Sequence, residues 1–281
     1  MSLPAIGHIN FLNCLPLTYS YEHDGFAEGL QIVSAAPAEL NAAVIAGRLD
    51  ISPVSSIVYA ENSEKLLILP HVSIMADGDV QSIVLVSRQP IETIAGGRII
   101  LSAKSAISHC LLKIIMAKAY GAHPVYETRP VTAEDPLPPD AAASLLIGDD
   151  ALNLCHHHAS SLYCYDIGKE WKNLTGSRMI FAVWVVNRDF AQRSPDLVQQ
   201  VYERITRGFQ NGCAKKAQII ESVLDSEPFT RQQLEDYFTV IQWQFGAGEQ
   251  AALHKFYTLA QEQGLLEKVP EIKLAEVQES C

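Results

Sequence analysis

The sequence predicts an α/β fold of two lobes with a helical C-terminal segment, and three observations lead there. Short apolar runs of strand length alternate with segments of helical period over about the first two-thirds of the chain. This is the pattern of βαβ units built on a largely parallel sheet. A proline-rich stretch, Thr128–Asp140, interrupts the alternation, and beyond Asn187 the pattern turns helical. At 281 residues the chain is long enough to divide its core between two lobes.

Ala5–Phe11 reads as an apolar strand ending at Leu12-Asn13, with a short helix after Pro16. Gly29–Ala35 is a second strand. Pro37 sits at a favoured first helical position, and the helix through Glu39–Ala46 stops at Gly47. Leu49–Pro53 is a short strand entering a helix near Ser55-Ser56, and Leu66–Leu69 and Val80–Ser87 follow as strands. Arg98–Leu101 is a strand, and Ser105–Tyr120 is a helix whose stripe runs through Leu111, Leu112, Ile115 and Ala119. Ala142–Ile147 is a fully apolar strand halted by Gly148-Asp149-Asp150, and Met179–Val186 is another, ended by Asn187-Arg188-Asp189. In the last third, Ser194-Pro195 caps a long helix reaching about Leu224. Thr230–Gln233 has the spacing of a capping box, and Gly248–Gly264 holds a further helix.

Composition narrows the function. Hydrophobic residues make up 48% and charged residues 19%, as in a globular chain. The formal net charge of −11, with no Lys/Arg run, argues against nucleic acid and against an anionic membrane surface. An anionic ligand would have to be held by local donors, not by the global field. No apolar run reaches membrane-spanning length, and the N-terminus lacks the charged and continuous apolar regions of a signal peptide, so a cytoplasmic protein is expected. The cysteines Cys14, Cys110, Cys155, Cys164, Cys213 and Cys281 form no CxxC pair, which fits reduced thiols. Cys155-His156-His157-His158 with Cys164 invites a zinc reading. Its spacing fits no familiar structural site, and adjacent histidines on a helix point in different directions. No metal and no cofactor are expected. His8 reads first as a core or turn histidine and second as a residue lining a cleft, and Trp171 and Trp184 read as packing residues near the hinge.

In open α/β sheets, ligands bind beyond the carboxyl ends of the strands, near helix N-termini. The positions that follow strands are Asn13, Ser52–Ser56, Ser105–Ser108 and Gly148–Asp149. Ser55, Ser56, Ser105 and Ser108 stand at helix starts, where a serine either caps the helix or meets a ligand. Asp149 reads first as a helix N-cap and second as an acid or base. Asn13 either offers its amide to a ligand or closes its own turn.

Several segments in their order resemble the menaquinone-biosynthesis enzymes of the futalosine pathway, chorismate dehydratase in particular. They are Ile6-Gly7-His8-Ile9 through Asn13-Cys14-Leu15-Pro16-Leu17, Gly47-Arg48-Leu49-Asp50-Ile51-Ser52-Pro53-Val54-Ser55, and Ser82 within Val80–Ser87. Ser105-Ala106-Ile107-Ser108, Ile147-Gly148-Asp149-Asp150-Ala151-Leu152, Asp166-Ile167-Gly168-Lys169-Glu170-Trp171 and Phe181-Ala182-Val183-Trp184 continue the series. The chain departs from that family at Thr175-Gly176-Ser177-Arg178-Met179, where Leu-Pro-Phe usually follows the Thr-Gly pair. A sister enzyme that makes dihydroxynaphthoate carries a histidine where this chain has Ile147-Gly148-Asp149, and lacks the Phe181–Trp184 stretch.

The resemblance implies a type II periplasmic-binding-protein-like fold used as an enzyme. Residues 1–85 with 187–281 would form one lobe and 86–186 the other, with crossings near Ser82–Ser87 and Val183–Asn187. It implies removal of water from chorismate, a small dianion, to give 3-[(1-carboxyvinyl)oxy]benzoate. Asn13 and Ser82 would be catalytic. Ser55, Ser56, Ser105, Ser108, Gly148 and Asp149 would bind substrate, and Arg178, a cation added where the chain departs from the family, is a further candidate because it lies close to a predicted cleft strand. No side chain stands out as the base, and the substrate's own enolpyruvyl carboxylate is a candidate for that task. The other readings are a dihydroxynaphthoate-synthase-like enzyme and a solute-binding protein for a small carboxylate.

Overall fold

The computed structural model describes residues 3–94, 96–103, 105–157 and 161–278, so Cys281 and His158 lie outside the described residues. In chain order the first part holds β1 (Ala5–His8), a 3-10 turn at Leu12–Cys14, α1 (Leu15–His23), β2 (Gln31–Ser34), α2 (Pro37–Ile45), β3 (Ile51–Ser55), α3 (Ser56–Glu61) and β4 (Leu66–Ala76). The middle holds β5 (Ile83–Ser87), β6 (Arg98–Leu101), α4 (Ala106–Tyr120), β7 (Val125–Thr128), β8 (Ala143–Ile147), α5 (Asp149–His157), β9 (Tyr163–Asp166) and α6 (Ile167–Thr175). Then come β10 (Met179–Asn187), α7 (Arg188–Arg193), α8 (Pro195–Ala214), α9 (Lys216–Val223), α10 (Arg231–Val240), β11 (Ile241–Gln242) and α11 (Ala247–Glu262).

Two sheets organise these elements, in the strand orders β2-β1-β3-β10-β4-β11 and β7-β6-β8-β5-β9. Both are mixed, not largely parallel. β1 runs parallel to β2 and β3, and β6 parallel to β7 and β8. β10 runs antiparallel to β3 and β4, and β5 antiparallel to β8 and β9. β5 and β10 are the strands that receive the chain from the other sheet. They are not the second strand of a βαβ unit, so the right-handed crossover that makes neighbours parallel does not govern them.

The chain crosses between sheets at 77–82 and again at 176–178. The second crossing therefore lies ahead of β10 and not at Val183–Asn187. All of β10 pairs within the first sheet, from Met179 opposite Ala76 to Val186 opposite Ile51. Likewise β5 lies whole in the second sheet, so a boundary at residue 85 would cut a strand.

The C-terminal helices return to the first sheet. α8 packs on α1 and β4 through Val198, Val201, Ile205 and Phe209. The approach is close because Gly212 has no side chain: a Cβ there would overlap the Pro16 carbonyl. The helix expected to run on to Leu224 breaks at Lys215 into α8 and α9. α10 begins with the Thr230/Gln233 capping box. Trp171 and Trp184 are fully buried. Trp171 meets Phe256 edge-on, and Trp184 meets Phe209 in the same way. Among the described residues no helix is long and apolar enough to cross a membrane.

Candidate active site

A cleft lies between the sheets; the space between its walls is about 610 Å³ with open solvent included, and the enclosed part is about 70 Å³. Its walls are mostly apolar, with Phe11, Ile74, Ile83, Ile107, Ile147 and Phe181 prominent. Its polar positions are Asn13, Ser55, Ser82, Ser105 and Gly148. Among the described residues that line it, none is charged.

Instead, helix starts converge on it. α2 begins at the lining residue Pro37, α4 is capped by the lining residue Ser105, and α5 follows the lining residue Gly148. These helices are 9, 15 and 9 residues long, and each brings the positive end of its dipole to the cavity.

Asn13 sits in the 3-10 turn that follows β1. Its backbone carbonyl accepts the Trp243 Nε1–H at 2.8 Å, and the turn closes through Cys14 N–H to the Phe11 carbonyl at 2.9 Å. The side chain is not what closes this turn: Asn13 Oδ1 is buried and has no hydrogen-bond partner. Such a group costs about 1–3 kcal/mol, a cost a ligand donor would relieve.

Ser82 ends the first crossing. Its N–H donates to the Val80 carbonyl at 2.7 Å across Gln81, which stands at φ 59°. That is a γ-turn of the strained, positive-φ kind. The Asp166 carboxylate holds the turn, accepting the Val80 N–H at 3.0 Å and the Gln81 N–H at 2.6 Å while capping α6 through the Lys169 N–H at 3.0 Å. Burial raises the Asp166 pKa, against the pull of those N–H groups. Gly168 is needed beneath the turn, because a Cβ there would overlap the Gly78 carbonyl oxygen. The Ser82 hydroxyl donates to the Val80 carbonyl and accepts from the Tyr237 phenol, both at 3.3 Å. Its carbonyl takes the Gly148 N–H at 2.7 Å.

The remaining expected residues divide. Ser55 lines the cavity, with its N–H on Asn41 Oδ1 at 3.3 Å. Ser105 also lines it and caps α4 by accepting the Ser108 N–H at 3.4 Å. Ser56 and Ser108 do not line it. Ser56 Oγ is buried on the Ile180 carbonyl at 2.8 Å, and Ser108 Oγ donates to the Ser105 carbonyl at 3.2 Å. Asp149 opens α5 and faces a neighbouring cavity with Asp150, Asn153 and Glu227. Burial first, and then the nearby Asp149 carboxylate, push the Cys14 thiol pKa up. Arg178 lies at the second crossing, away from the cavity, paired with Glu249 and 3.8 Å from Asp77.

His8 is a core histidine. Its Nε2 bonds to Thr18 Oγ1 at 2.8 Å, and burial lowers its pKa to about 4. Among the described residues no three of His, Cys, Asp and Glu gather to hold a metal ion. His157 Nε2 instead bonds to the Pro228 carbonyl at 2.8 Å, and His156 meets Phe229 edge-on. Sequence reasoning did not find Gln81, Tyr237 or Trp243. Asp166 had a local signal, as the residue that opens the Asp166–Trp171 motif, but Gln81, 85 residues away, had none. For Tyr237 and Trp243 there was none.

Known proteins place the chain. A chorismate dehydratase of Thermus thermophilus is 30% identical over 198 residues, 66% of this chain and 70% of that one. A crystal structure of an Archaeoglobus fulgidus protein superposes with a TM-score of 0.75 at 19% identity, covering 93% of this chain and 98% of that one. The periplasmic aliphatic sulphonate binding protein of Escherichia coli does so with a TM-score of 0.67 at 13% identity, covering 100% and 95%. At such identities the likeness is one of fold, the periplasmic-binding-protein-like fold that the sequence motifs implied. A model of the menaquinone biosynthesis family matches residues 4–262, and the chain belongs to that family.

Proposed function

We propose that the chain is a chorismate dehydratase, a hydro-lyase that converts chorismate to 3-[(1-carboxyvinyl)oxy]benzoate. The observation that carries this reading is the unpartnered Asn13 Oδ1 in a cavity walled by apolar side chains and helix starts, in a chain 30% identical to a protein of that activity. The substrate has two carboxylates, and this cavity offers N–H groups and hydroxyls to them.

The chemistry asks for little more. The proton to be lost is on the ether-bearing ring carbon, in conjugation with the ring carboxylate through one double bond. As it leaves, negative charge spreads onto that carboxylate, where the start of α4 and Ser105 would hold it. The neighbouring ring hydroxyl then departs, taking up that same proton from the group that accepted it to form water, and the ring becomes aromatic. Asn13 and Ser82, both lining the cavity, would hold the departing hydroxyl and the ether arm. No carboxylate or imidazole stands among the described lining residues to act as base. This favours the substrate's own enolpyruvyl carboxylate, folded over the ring, as the proton acceptor.

Incubation with chorismate followed by mass spectrometry is the test. A product lighter by one water is expected. Unchanged chorismate beside an active control enzyme would overturn the reading.

A further inference from the structure

Tyr237 stands on α10, 155 residues beyond Ser82, and is 2% exposed. Burial pushes its phenol pKa well above the ordinary value, so the hydroxyl keeps its proton at neutral pH. That proton is directed at Ser82 Oγ over 3.3 Å. Tyr237 does not line the cavity, whereas Ser82 does.

We propose that Tyr237 is a positioning residue that acts through Ser82. Its phenol fills one lone pair of Oγ from outside the cavity, so that the Ser82 O–H can turn from the Val80 carbonyl to a ligand oxygen. The turn leaves nothing orphaned, because the Val80 carbonyl keeps the Ser82 N–H at 2.7 Å. A serine that accepts one hydrogen bond while donating another is also the stronger donor, since linked hydrogen bonds polarise one another. Without the phenol, Oγ would face a buried apolar wall with an unpaired lone pair and a free rotamer. The inference rests on the dehydratase reading of the cavity.

The test is a double-mutant cycle with chorismate on the full chain. Tyr237→Phe keeps the ring and removes only the hydroxyl, and a thermal melt reports the folded fraction. Ser82→Ala is expected to lower kcat by about 100-fold, the size of effect seen when one transition-state donor is removed. Tyr237→Phe is expected to lower kcat by about 10-fold with KM within about 2-fold, and to have no further effect in the Ser82→Ala background. Wild-type kcat in a folded Tyr237→Phe, or a full additional loss in the double variant, overturns the role of Tyr237 alone. Wild-type kcat in Ser82→Ala overturns that role and the placing of Ser82 in the site. A wild-type protein inert toward chorismate overturns the dehydratase reading and the inference with it.

Discussion

Asp166 Oδ2 accepts the N–H of Gln81 at 2.6 Å, and Gln81 is held at φ 59°. The backbone strain of the first crossing, of order 1–3 kcal/mol at such a residue, is thus opposed by a carboxylate that arrives from β9. Asp166→Asn would turn one of these acceptors into a donor facing donors. We expect it to destabilise the fold by about 2–3 kcal/mol, measured in urea, and to slow turnover because Ser82 follows the turn directly. A variant of wild-type stability and rate would show that the turn stands without the carboxylate.

Asn13→Ala should move activity and stability in different directions. It removes a buried oxygen that lacks a partner, so the melting temperature should hold or rise. Turnover should fall by about 100-fold. A parallel loss of both would mean that the amide serves the fold.

Arg178 offers the opposite case. It pairs with Glu249, whose side chain is 8% exposed, while Arg178 itself is 36% exposed. Arg178→Met should cost about 1–2 kcal/mol, because it leaves the Glu249 carboxylate with the Gly246 N–H but without its counter-ion in a half-screened site. KM for chorismate should stay within about 2-fold of wild type. A tenfold rise in KM would return Arg178 to the substrate.

His8 sets a pH dependence. Its folded pKa of about 4 lies below the ordinary 6.5, so over that window the unfolded chain binds the extra proton. Stability therefore rises with pH between about 4 and 6.5, and about 3 kcal/mol is lost on acidification across it. His8→Gln keeps a side chain able to reach Thr18 and should flatten the slope of denaturation midpoint against pH in that window. An unchanged slope would assign the dependence to other groups.

How far the sequence reveals this molecule depends on the range of the interaction. Arg98–Leu101 and the Thr230/Gln233 capping box are local patterns, and the structure has them where they were expected. β9 reads Tyr163-Cys164-Tyr165-Asp166 and lies at a sheet edge, half exposed, so its residues carry no apolar run to betray it. β10 was visible as a strand, but an apolar nine-residue run reads the same in either sheet, so its membership was not. Asn13, Ser55, Ser105 and Gly148, which line the cavity, each follow a strand or open a helix, whereas Ser82 precedes β5 and was marked only by the family resemblance. Ser56 and Ser108 turn inward because helical geometry points them at neighbouring backbone. The partner of Arg178 lies 71 residues away and that of Ser82 lies 155 away, distances across which a single sequence carries no sign.

A cavity whose described walls carry no charge, inside a chain of net charge −11, also governs how a dianion arrives. Helix dipoles act only over the first turn, whereas the field of the whole surface repels at a distance. Encounter is therefore uphill until the last few ångströms, and capture is short-range. Added salt shrinks the Debye length from about 30 Å at 0.01 M to about 8 Å at physiological ionic strength. The association rate of chorismate should consequently climb with ionic strength, the reverse of an enzyme that draws its anion in with arginines.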